Sequence, residues 1–121
     1  MTEDLDREAA LLMGWRECRE TGHPEVWWMP PGTACCDDSH GCRDFPPRPT
    51  SNPVDTRALV QAVVARGWDL EFCLGSKTAD AFGWKWKHPK IEVQTTEADD
   101  GPNYDLIATT RACVTALKEA Q

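Results

Sequence analysis

The sequence predicts an α+β domain in which an antiparallel sheet of about five short strands is packed by three helices, in the order α-β-β-α-β-β-β-α. Three features of the 121 residues carry that expectation. Apolar residues recur at helical spacing near both ends and again after residue 53. From Trp68 onward they recur with a period of two. Short Gly- or Pro-containing turns separate the strand segments, which suits antiparallel neighbours. A chain of this length fits one domain, residues 1–121.

The elements follow in chain order. Leu5, Ala9, Leu12 and Met13 fall on one face of a first helix, whose start is favoured by Glu3, Asp4 and Asp6. Gly14 is its expected stop. The segments "WRECRE" and "EVWWM", broken by "TGHP", are short strands expected to form a hairpin. Residues 30–53 hold six of the nine prolines and are expected to be a long loop, functional or mobile. A second helix is expected over "TRALVQAVVAR", with Asp55 as N-cap and Gly67 as its stop. Its polar stripe, chiefly Arg57 and Gln61, is narrow, so most of its circumference is expected to be buried.

Three strands come next. Trp68, Leu70, Phe72 and Leu74 alternate with Asp69, Glu71 and Cys73. In "FGWKWK", Phe82, Trp84 and Trp86 share one face and Lys85 and Lys87 the other. "IEVQT" supplies the last strand, with Ile91 and Val93 inward, before the acidic turn "EADDGPN". A closing helix from Tyr104 to Ala120 is expected to bury Leu106, Ile107, Thr110, Cys113, Val114 and Leu117.

A net charge of −7 argues against direct binding to duplex nucleic acid, which rests on Lys and Arg neutralising phosphates. The acidic start lacks the basic and apolar regions of a secretory signal, and no apolar run approaches the ~20 residues that span a bilayer. The expectation is a cytoplasmic protein with no membrane partner. In a reducing compartment, six cysteines are expected to be free or metal-bound rather than paired.

The stretch "GTACCDDSHGCRDFPPRP" concentrates the polar chemistry of the chain. Cys35, Cys36, His40 and Cys42 offer three sulfurs and one nitrogen, a donor set suited to zinc. The adjacency of Cys35 and Cys36 is awkward on one ion, and structural zinc sites usually join two separated knuckles. A disulfide to Cys42, or reduced thiols without a ligand, are the alternatives. A Cys–His nucleophile pair lacks a rigid scaffold here and is not favoured.

The aromatic residues form a second constellation. Trp27 and Trp28 are neighbours in a strand, so they face opposite ways. Trp84 and Trp86 lie in a strand that also carries Lys85 and Lys87. The plainer expectation is a tryptophan-filled core with lysines solvating a sheet edge. The functional one is a patch where an indole stacks on a base or partner side chain and the lysines meet phosphates or carboxylates.

Several stretches together carry a family resemblance: "LLMGW", the Trp-rich hairpin, the Pro-rich loop, "NPVDTRALVQAVVARGWDLEF", the Trp/Lys strand and "ATTRACVTALKEA". The chain resembles the phage α-β-α sandwich domain, a family of small phage and prophage proteins. The resemblance implies a fold and a phage origin, in the cytoplasm of a bacterial host, but no catalytic set. No nucleophile–base–orienter arrangement or phosphate loop is visible, so the expected function is non-enzymatic binding. The expected partner is a host protein or defence complex, blocked in the manner of an anti-CRISPR-like inhibitor. The alternatives are a sponge holding a small nucleotide-derived immune signal, at the interface of a homo-oligomer, and a zinc-stabilised structural module.

Overall fold

The computed structural model describes residues 2–18, 27–32, 45–85 and 94–119. It is an α+β arrangement of three α-helices and two small antiparallel sheets. Helix α1 spans Thr2–Leu12, strands β1 and β2 span Arg16–Cys18 and Trp27–Met29, and helix α2 spans Pro53–Ala65. Strands β3, β4 and β5 span Trp68–Leu74, Thr78–Lys85 and Gln94–Glu97, and helix α3 spans Tyr104–Glu119. The five strands do not join one sheet: β1 pairs with β2, and β3-β4-β5 form a separate sheet. Period-two patterning places strands but does not say which of them share hydrogen bonds, and this is where the single-sheet expectation departs from the structure.

Two helix stops fall where expected. Gly14 and Gly67 take φ of 100° and 92°, a region L side chains rarely adopt. The N–H of Trp15 closes on Ala10 O at 3.0 Å, and that of Gly67 on Val64 O at 2.9 Å, satisfying carbonyls the helices leave open. The start of α2 differs from expectation. Asn52, not Asp55, is the N-cap, and its Oδ1 accepts from Val54 N at 2.9 Å. Pro53 then occupies the first turn, where its missing N–H costs nothing.

Helix α3 is the centre of the packing and contacts α1, α2 and all three strands of the larger sheet. Its buried stripe is wider than the larger apolar residues alone suggest, because Ala108, Ala112 and Ala116 are also almost fully buried. They share one core with Ala79 and Ala81 of β4, and Gly83 on the same face of that strand is buried too. Small residues on both sides let the helix approach the strand closely. Leu59, Val63, Trp68 and Leu117 fill the space around this contact. The hydroxyl of Thr110, fully buried, donates to Leu106 O at 2.8 Å, so its burial leaves no donor unpaired.

Helix α2 buries a narrower face than expected. Leu59 and Val63 are fully buried, but Val54 and Val64 are 75% and 52% exposed. Alanine and valine do not reveal from sequence alone how far round a helix its neighbours reach. Strand β3 shows the same effect. Its alternation is as expected, yet burial fades along it, from Trp68 at 3% exposure to Phe72 at 45% and Leu74 at 67%. The reason is position: among the described strands β3 lies at the sheet edge, and Trp68 and Leu70 join the helix-packed core whereas Phe72 and Leu74 do not. The last strand is described from Gln94 to Glu97, so it extends past the end of "IEVQT"; Ile91 and Val93 lie outside the described residues.

The end of the Pro-rich connection is firmly built in. Pro47, Pro49 and Thr50 are buried. Thr50 donates to Asp6 twice, from N to Oδ1 at 3.0 Å and from Oγ1 to Oδ2 at 2.8 Å. Arg48 N donates to Asp55 Oδ2 at 2.8 Å, and the Thr56 hydroxyl donates to Pro49 O. Asp6 on α1 and Asp55 on α2 therefore hold the segment from both sides.

Candidate functional site: the open face of the three-stranded sheet

Strand β4 is the middle strand, and its two faces have opposite compositions. Ala79, Ala81 and Gly83 face the helices, while Asp80, Phe82 and Trp84 face the other way. Phe82 and Trp84 therefore do not fill the core. The plainer expectation fails at these two positions because small residues, not indoles, are what the close approach of α3 requires. The outer face is completed by Asp69, Glu71 and Cys73 of β3 and by Thr95 and Glu97 of β5.

The register sets the local chemistry. Asp69 lies opposite Trp84, Glu71 opposite Phe82, and Cys73 opposite Asp80, which in turn lies opposite Thr95. The Phe82 and Trp84 rings are tilted by 33° with centroids 6.0 Å apart, and Trp84 is 37% exposed. Asp80 accepts from the Thr95 hydroxyl at 2.7 Å, which orients its carboxylate. Asp69 and Glu71 are exposed. Among the described side chains of this face there are four carboxylates and no Lys or Arg. Two aromatic rings beside single-sign charge form a surface able to take apolar and cationic groups together.

The other residues singled out from sequence fall in different places. Trp28 is buried at 5% exposure, on β2 opposite Glu17. It lines a hollow of about 660 Å³ between the start of α1, the hairpin and the segment around Arg48. Trp27 pairs through its backbone with Cys18, and Lys85 with Trp68, but the side chains of Trp27 and Lys85 lie outside the described residues. So do Trp86, Lys87, Cys35, Cys36, His40 and Cys42. Among the described residues, no group of three or more His, Cys, Asp or Glu is arranged to hold a metal ion. The structure brings Trp84 together with Phe82 and with the acids Asp69, Glu71 and Asp80. Asp69 and Glu71 read from sequence only as the polar half of an alternation, and Asp80 as part of a turn, "GSKTADA", whose second half is in fact the start of β4. The signal was present in the period of two, but only the β3–β4 register places each acid across from an aromatic.

The hollow beside Trp28 has mixed charge. Arg7 pairs with Glu17 at 2.7 Å, and the Arg48 guanidinium stacks on Phe45, 4.7 Å from its centroid. Glu3, Asp4 and Asp6 line the same hollow. Burial pushes the Asp6 carboxyl above its usual range, against the opposing pull of its Thr50 hydrogen bonds and of Arg48; nearby Asp55 adds to the rise. Burial likewise pushes the Cys113 thiol up to about 12, so it is a protonated packing residue rather than a nucleophile.

No family model, no curated protein and no solved structure matches this chain. No described helix is long and apolar enough to cross a membrane.

Proposed function

We propose that this chain is a small non-enzymatic binding protein that docks the open face of its three-stranded sheet onto a basic surface of a host protein. The observation that carries this reading is the cross-strand pairing of Asp69 with Trp84 and of Glu71 with Phe82 on a face no described helix covers. Tryptophan anchors and complementary charge are the features by which protein interfaces gain affinity and orientation. The net charge of −7 adds long-range attraction for a basic partner. The resemblance to the phage α-β-α sandwich domain supplies the setting: interference with a bacterial protein or defence complex in the host cytoplasm.

A nucleotide-derived signal is a poorer occupant. The described hollow offers two arginines, one paired with Glu17 and one stacked on Phe45, against several carboxylates that repel phosphate.

Affinity capture from bacterial lysate, comparing the wild type with a Trp84→Ala/Glu71→Lys variant, tests the reading. A specific basic protein retained by the wild type, released by salt and lost with the variant, supports it. Equal retention by a folded variant contradicts it.

A further inference from the structure

The geometry points to a second copy of this chain as the partner of the β3 edge, forming a two-fold antiparallel pairing centred on Phe72. Among the described strands, β3 is the outermost of its sheet and is seven residues long, with an unbroken register to β4 on one side. On its other side, no hydrogen bond joins it to any described residue. Such an edge is a template for another strand, and proteins usually protect it with proline, lysine or a bulge. No proline, lysine or bulge interrupts "WDLEFCL", and its two charges, Asp69 and Glu71, both lie on the outer face of the sheet. Instead, the end of the strand exposes Phe72 and Leu74 on the face that, at Trp68, belongs to the core.

The identity of the partner follows from the pattern of the strand itself. A two-fold axis normal to the sheet pairs residues of like parity, so the helices of both copies stay on one face. Centring the pairing on Leu70 would set Asp69 against Glu71 twice. Centring it on Glu71 would set two Glu71 side chains against each other, and like charges directly opposite are destabilising. Centring it on Phe72 sets Phe72 against Phe72 and Leu70 against Leu74. On the other face it sets Glu71 against Cys73 and Asp69 against Gly75. This is the longest of these registers in which no carboxylate opposes a carboxylate, and it covers both exposed apolar side chains. The resulting six-stranded sheet carries two copies of the open acidic–aromatic face side by side. The pairing does not depend on what that face binds.

Sedimentation equilibrium over roughly 1–500 µM spans the affinities a single-strand interface of this kind reaches. The wild type is expected to approach twice the 13.5 kDa chain mass at the upper end. Phe72→Lys and Leu74→Lys are expected to weaken association by on the order of tenfold or more, with circular dichroism unchanged. The register is tested separately by oxidation. Phe72→Cys in a Cys73→Ser background should form an intermolecular disulfide efficiently, and Cys73→Ser alone should not. A wild type that stays at the single-chain mass throughout overturns the proposal. So does a dimer that survives both lysine variants, or one in which the Cys at 72 fails to cross-link.

Discussion

Thr50 donates both its backbone N–H and its hydroxyl to the carboxylate of Asp6, 44 positions earlier in the chain. This single residue pair fastens the end of the Pro-rich connection to the first helix, inside a buried environment. Replacing Asp6 with Ala leaves a buried N–H and hydroxyl without their acceptor. The expected cost is about 2–3 kcal/mol in urea unfolding. Asp6→Asn keeps an acceptor for the N–H and lets the hydroxyl accept instead, so its cost at neutral pH is expected to stay below about 1 kcal/mol.

The same pair sets a pH dependence of unusual sign. Burial holds the Asp6 pKa above its ordinary value of 3.8, so the folded state binds this proton more tightly than the unfolded state. Its contribution is fully present below the unfolded pKa and is lost as pH rises through the folded one. Arg48 and Thr50 oppose the shift, and Asp55 reinforces it. The stability of the wild type relative to Asp6→Asn is therefore expected to be greatest at acid pH and to fall on going towards neutrality. Unfolding curves of both proteins between pH 4 and 8 measure this difference directly, and a rise with pH would contradict it.

The start of α2 gives a prediction that separates two candidate caps. Asn52 accepts from Val54 N, whereas Asp55 accepts from Arg48 N outside the helix. Asn52→Ala is expected to cost about 1 kcal/mol and Asn52→Asp close to nothing. Thermal denaturation of the two variants reads the contrast.

The contact between α3 and β4 depends on small side chains. Ala112 is fully buried in the core that includes Ala81. Ala112→Leu is expected to destabilise the fold by about 1–3 kcal/mol through overpacking, although it raises hydrophobicity. Ala112→Ser keeps the volume and adds a hydroxyl able to bond back within the helix, and is expected to cost less. A stabilised leucine variant would mean that the helix and sheet are not in close contact.

Local chemistry made much of this fold legible in the sequence. Gly14 and Gly67 mark helix ends because their left-handed conformation excludes other residues, and the alternation in β3 and β4 follows from the pleat. Coverage was less legible. Phe72 and Leu74 share a face with buried Trp68, yet nothing local says where the helices end above that face. The N-cap was misplaced because Asp55 is a good capping residue in isolation; Pro53, which favours the first helical turn, was the signal for Asn52. The candidate site was half-visible. Trp84 stood out by type, but Asp69 and Glu71 gain meaning only from a strand register that turn length and long-range packing decide together. Cys35, Cys36, His40 and Cys42 lie outside the described residues.

The most direct test of the proposed docking face is site-specific photo-cross-linking in bacterial cells from position 73. Cys73 is exposed on that face, between Asp80 across the sheet and Glu71 and Phe82 beside it. A benzoylphenylalanine at position 73 is expected to trap, besides a second copy of this chain, one discrete basic host protein, with the host cross-link lost when Trp84→Ala and Glu71→Lys are added. The same probe at Gln61, exposed on α2, is expected to trap none of it. A host cross-link pattern shared by positions 73 and 61, or one that persists in the folded double variant, would contradict the account.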